Sequence, residues 1–153
     1  MMDKEIFVNL LQDRQFKAVK SILNVMNAVD TASLLSELDD KELALAFRLI
    51  PKEEAAEVFA NMNNTMQSYL VEMFTEKELQ ELLEDLYMDD TVDLLEELPA
   101  NLVIRILDNV SQSKRNMINV LLNYPDDSTG SIMTTEYVGL RQNMTAAEAM
   151  AHI

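Results

Sequence analysis

Leucine, isoleucine, valine, phenylalanine and methionine recur along this chain at intervals of three and four residues, in short stretches broken by polar pairs and prolines. That spacing gathers apolar side chains on one face of a helix and leaves polar residues opposite. Residues 3–26 carry Ile6, Phe7, Leu10, Leu11, Phe16, Val19, Ile22, Leu23 and Met26 close to a 3.6-residue period, and predict a helix. Asp30 is suited to cap a short helix running through Leu38. Asp39 with Glu42 marks the next start, and that helix stops before Pro51. Pro51 fits the first turn of a helix over 52–62, and 63–74 reads as another. Thr75-Glu76-Lys77-Glu78 is a capping box opening the helix of Leu79, Leu82, Leu83 and Leu86. Asp89 or Asp90 begins the next, which ends near Pro99. Helices over 100–110 and 112–123 follow, the second opened by Ser111.

Related phrases recur in these helices: Ala32-Ser-Leu-Leu-Ser-Glu-Leu38, Leu79-Gln-Glu-Leu-Leu-Glu-Asp-Leu86 and Val92-Asp-Leu-Leu-Glu-Glu-Leu98. Each lays down a leucine stripe that a helix this short cannot bury alone. Stacked helical pairs in a curved array solve the problem, and so does a compact bundle; the period does not separate them. The pattern breaks at Tyr124-Pro125-Asp126-Asp127-Ser128-Thr129-Gly130. The only two glycines, Gly130 and Gly139, lie beyond that break or at its end. Residues 131–138 look extended or loop-like. Thr145-Ala-Ala-Glu148 is a second capping box, opening a helix cut short at Ile153. The tail therefore reads as the first elements of a domain continuing elsewhere.

Composition narrows the function classes. Apolar residues make up 48% of the 153, enough for a core, and include 11 Met but no Trp and no Cys. Thiolate catalysis, disulfides and zinc–sulfur sites are excluded. With 12 basic and 27 acidic residues the formal net charge is −15, which disfavours nucleic acid and anionic lipid and favours cations. No apolar run approaches the roughly 20 residues that cross a bilayer. A soluble, cytoplasmic segment with no membrane insertion of its own is expected.

The acid is concentrated. Residues 72–97 hold eleven carboxylates against Lys77 alone. Asp89, Asp93, Glu96 and Glu97 fall at i, i+4, i+7 and i+8, one face of a helix, with Asp90 beside them. Met88, Val92, Leu95 and Leu98, or else Thr91, Leu94 and Leu98, are left for the buried side. A hard divalent cation such as Mg²⁺ or Ca²⁺ would relieve the repulsion, although a solvated acidic face is the commoner meaning of charge alone. His152 is the only histidine, and no hydroxyl has a His–Asp arrangement beside it, so no enzyme activity is expected.

Four segments carry a family likeness. Leu49-Ile-Pro-Lys-Glu-Glu-Ala-Ala-Glu-Val-Phe59 and Asp89-Asp90-Thr-Val-Asp-Leu-Leu-Glu-Glu-Leu-Pro99 resemble segments of the cytoplasmic N-terminal domain of MgtE magnesium transporters. Leu121-Leu-Asn-Tyr-Pro-Asp-Asp-Ser-Thr-Gly-Ser-Ile-Met-Thr134 resembles that family's junction into the first cystathionine-β-synthase (CBS) domain, and 137–150 is similar to a CBS opening. The resemblance implies an all-α, right-handed superhelix of short stacked helices over residues 1–124. It implies the truncated start of an α/β CBS domain over 125–153. Absent partners would be the CBS pair and a transmembrane pore domain of the same chain, in a homodimer. It further implies Mg²⁺ bound between the N domain and the CBS pair, closing the pore when Mg²⁺ is abundant. By motif the ligands fall on Glu57, Asp89 and Asp93, with Asp90 contributing through water. A metal-independent interaction scaffold, built of short helices like those of the flagellar switch protein FliG, is the competing reading.

Overall fold

The structure, a computed structural model, describes residues 4–125, 128–130 and 133–152. Asp3 of the first expected helix, and Asp126, Asp127, Ser131 and Ile132 of the junction, lie outside the described residues. Eleven helices are present among the described residues: α1 (Lys4–Gln12), α2 (Phe16–Leu23), α3 (Ala28–Leu35), α4 (Asp40–Phe47), α5 (Lys52–Ala60), α6 (Asn64–Met73), α7 (Glu76–Asp85), α8 (Met88–Glu97), α9 (Ala100–Asn109), α10 (Gln112–Leu121) and α11 (Ala146–His152). None is long and apolar enough to cross a membrane.

The single helix expected over 3–26 is two helices. Arg14 takes a left-handed φ of 55°, its N–H donating to the Leu11 carbonyl at 3.1 Å and that of Gln15 to the Leu10 carbonyl at 2.8 Å. These two bonds form a Schellman stop, usually signalled by a glycine at the left-handed position. Here arginine occupies it, at a cost of about 1–2 kcal/mol, so the sequence carries no visible stop. The reversal folds α2 back on α1 and buries Phe7, Leu11, Val19 and Leu23 together.

Capping chemistry sets most other starts. The Asp39, Asn63, Thr75 and Ser111 side chains accept from the backbone N–H three residues on, and Thr75 with Glu78 completes the expected box. Asp30 is not a cap. Asn27 caps α3 by accepting from the Asp30 N–H at 2.8 Å, while Asp30 sits in the first turn, where the helix dipole favours a carboxylate. That helix also ends at Leu35 and not at Leu38. Helix α8 begins at Met88, ahead of both aspartates, and Tyr87 supplies no side-chain cap.

From α3 onward each helix packs on the one two places along, making a row of α3, α5, α7 and α9 beside a row of α4, α6, α8 and α10. That arrangement is a stacked array and not a compact bundle. One continuous core runs between the rows from Phe7 to Leu121, with Phe47 packed on Phe59 and Phe74 at centroid distances of 6.2 and 5.3 Å.

Basic residues stitch the layers by closing helix C-termini, whose last carbonyls lack partners within the helix. Arg105 on α9 donates to the carbonyls of Val71, Glu72 and Phe74 at the end of α6 and to Glu76. Lys114 on α10 donates to Leu83 and Leu86 carbonyls at the end of α7, at 2.5 and 2.6 Å. Arg48 donates to the Met73 carbonyl and to Glu78 at 2.7 Å, and that bond holds the Glu78 carboxyl down at about 2. These cations serve backbone carbonyls as well as acids, which leaves the face of α8 unneutralised.

The α/β character expected after residue 124 is not displayed: among the described residues there is no strand, and α11 buries none of its side chains. An isolated strand has no ladder partner to satisfy its backbone. The Thr145 box does form, Thr145 accepting from the Glu148 N–H and donating back to Glu148 Oε2. Gly130 lies so close to Tyr124 that a Cβ there would stand 2.5 Å from the ring.

Candidate functional site

Helix α8 is buried on both of the stripes that the sequence offered as alternatives: Met88, Thr91, Val92, Leu94, Leu95 and Leu98 are all inside. It lies between α6 and α10, and needs apolar contact on two sides. The acids are squeezed into the remaining strip. Asp90, Asp93 and Glu97, at i, i+3 and i+7, form one wall of an open groove of roughly 180 Å³. Opposite them stand Asn64 and Gln67 of α6 and Phe59 and Ala60 at the C-terminal end of α5. Gln67 is buried and donates to the Phe59 carbonyl at 2.9 Å, so α5 and α6 are locked together at the groove floor. The C-terminus of α5 adds the negative end of its dipole. No lysine or arginine lines the groove.

The field acts on Asp90. Burial pushes its carboxyl above the ordinary aspartate range, and the charges of Asp89, Asp93 and Glu136 push it further. Because its folded-state value is raised, Asp90 favours folding below its unfolded-state pKa and opposes folding once pH rises through the folded value. Asp90→Asn is therefore expected to raise the melting temperature at pH 7, with the gain shrinking as pH falls from the raised folded value to the ordinary aspartate value. Thermal unfolding of both proteins across pH 3–8 checks this, and a loss of stability at pH 7 would contradict it.

The expected ligands are only partly together. Asp90 and Asp93 share the groove. Asp89 is half-buried outside it, with Oδ1 enclosed and without a hydrogen-bond partner. Glu57 is exposed on α5 and is not among the lining residues, although Phe59 and Ala60 of the same helix are. The acidic wall is thus 90, 93 and 97, one residue round from the expected 89, 93, 96 and 97. Among the described residues no three His, Asp or Glu side chains converge closely enough to hold a metal ion. Sequence reasoning did not find the amides Asn64 and Gln67, which carry no signal, nor Glu136, which reaches α8 from 48 residues away.

Residues 26–127 match the family described as "MgtE intracellular N domain". The chain belongs to that family. The MgtE N-domain identity extends to whole-chain similarity. The chain is 30% identical over 156 residues to the magnesium transporter MgtE of Thermus thermophilus, and 23% over 144 residues to that of Bacillus subtilis. These alignments cover 97% and 94% of this chain but 34% and 32% of the relatives, so it spans about a third of their length. Two solved structures share the fold of this MgtE N domain. The soluble part of a magnesium transporter matches with a TM-score of 0.85 at 23% identity, covering 97% of this chain and 59% of that one. The cytosolic domain of the Mg²⁺ channel MgtE in complex with ATP matches with 0.81 at 28% identity, covering 97% and 61%.

The groove's donors are all oxygens of carboxylates and amides, the set a hard cation takes. Mg²⁺ keeps several waters and accepts one or two carboxylates from a protein, which suits an open acidic groove of this size. Asp90, Asp93 and Glu97 could hold a hydrated ion through its water, while a full inner shell would need donors from elsewhere.

Proposed function

We propose that this chain is the cytoplasmic Mg²⁺-sensing domain of an MgtE-type magnesium transporter, a regulatory part with no enzyme activity. Residues 1–124 form the sensing domain, a right-handed superhelix, and 125–153 begin the first CBS domain. Mg²⁺ binds between the acidic side of α8 and the CBS pair, with Glu57, Asp89 and Asp93 as ligands and Asp90 acting through water. Binding draws the two together and favours closure of the pore in a homodimer. The observation that carries this reading is an unneutralised acidic wall on the one helix whose sequence bears the family's aspartate motif. The wall is incomplete as a metal shell, and donors on an apposed domain would complete it. A bridging ion then shifts the domain equilibrium by its difference in affinity for the joined and parted states.

In the complete transporter, raising Mg²⁺ is expected to protect the junction after residue 124 from protease. Replacing both Asp89 and Asp93 with asparagine should raise the protecting Mg²⁺ concentration by about tenfold. An unchanged midpoint in the double variant sinks the ligand assignment. No Mg²⁺-dependent protection in the unaltered protein sinks the sensing reading itself.

A further inference from the structure

We propose that Glu136 is a strap: its carboxylate caps the otherwise uncapped N-terminus of α8 and thereby docks the segment following the helical array onto the acid-bearing helix.

Helix α8 leaves its first N–H groups without a side-chain partner from Tyr87. The Met88 N–H instead donates to Glu136 Oε1 at 3.1 Å, across 48 residues of chain. The second oxygen, Oε2, accepts from the hydroxyls of Thr134 and Thr135, each at 3.2 Å, so the carboxylate is held in one orientation. Met133, three residues earlier, packs against the core and anchors the same segment by apolar contact. A carboxylate at a helix N-terminus is the favoured pairing for charge and for hydrogen bonding alike.

The strap is under opposing pulls. Lys114, which closes the end of α7, attracts Glu136, whereas Asp90 repels it. Seating the strap places a further negative charge in the field of the acidic wall. Anything that neutralises that wall must therefore tighten the strap, and a seated strap must in turn favour a cation at the wall. Glu136 acts here as a positioning residue for the segment. The link to Mg²⁺ rests on the regulatory reading above; the strap does not.

The test is amide exchange at Met88 in the 153-residue chain, with Glu136→Ala compared with the unaltered protein in the absence of divalent cations. Glu136 is exposed, so its removal leaves the core intact. Exchange at Met88 is expected to quicken by about tenfold in the variant, while the amides of Leu94 and Leu95 keep their protection. Equal Met88 exchange in the two proteins overturns the strap. Adding MgCl₂ should slow Met88 exchange in the unaltered protein and leave the variant unmoved. An equal slowing in both overturns the coupling. If MgCl₂ moves neither protein and the variant still exchanges faster, the strap stands and its coupling to a cation at the wall is what fails; the regulatory reading is tested separately by protease protection of the complete transporter.

Discussion

Truncating Phe59 to alanine is expected to lower the unfolding free energy by about 3–5 kcal/mol. The ring is wholly buried near the end of α5 and meets Phe47 edge-on at 6.2 Å. Alanine would leave a cavity in a close-packed core, whose surroundings relax onto such a gap only in part. In a domain of this length each kcal/mol moves the melting temperature by roughly 2–4 °C, so a fall of about 10 °C is expected. Urea unfolding is the check, with the midpoint falling and the slope unchanged. Phe59→Leu, which keeps most of the volume, should lose far less, under about 1.5 kcal/mol. If alanine and leucine cost the same, the ring is not packed as described. Because Phe59 also floors the acidic groove, the alanine variant should perturb the groove, whereas leucine preserves it.

Arg105→Met is the second large effect, expected at about 2–3 kcal/mol. Methionine retains the apolar stem, so what is lost is the guanidinium that serves the Val71, Glu72 and Phe74 carbonyls at the end of α6. The same guanidinium also pairs with Glu76, and the two contributions can be told apart. Glu76 is 68% exposed, and an ion pair of that kind contributes little and fades in salt. Glu76→Gln should accordingly cost little, and 1 M NaCl should not abolish the Arg105→Met loss. Arg105→Lys should rescue only part of it, because an ammonium lacks the planar fork that reaches several carbonyls at once. A loss in Glu76→Gln as large as in Arg105→Met would mean that the ion pair with the start of α7, not the capping of α6, carries the effect of Arg105.

Most helix existence was legible because local chemistry and apolar spacing agree: the Asp39, Thr75, Ser111 and Thr145 caps are sequence-local, and each is made as read. The failures occur where a local rule was broken by something non-local or unusual. Arg14 performs a glycine's task, and nothing in its residue type announces it. Asn27 outcompeted Asp30 because both can cap and only the packing of α3 decides which does. The start of α8 is set by a carboxylate far along the chain, a pairing that no window of ten residues contains. The candidate site was half visible for the same reason. Its acidic wall lies on one helix and obeys helical spacing, so Asp90 and Asp93 could be singled out. Its opposite wall comes from the end of α5 and from Gln67, whose side chain turns to the Phe59 carbonyl only once α5 and α6 have packed. The choice between array and bundle depended on which helix meets which, a property of contacts between helices that a leucine stripe does not encode.

The two-row arrangement bears on how the chain folds and yields. Since each helix leans on the one two places along, most partners lie within about thirty residues, and the entropy of closing long loops is largely avoided. Folding should be fast for a protein of this size and able to begin at any point along the stack. Unfolding should be graded, the end helices releasing before the middle ones, whose neighbours flank them on both sides. Helix α8 sits two places from the last of its row. A pull applied through the strap at Glu136 would meet the stack near its softer end, where a helix can shift without the far helices giving way.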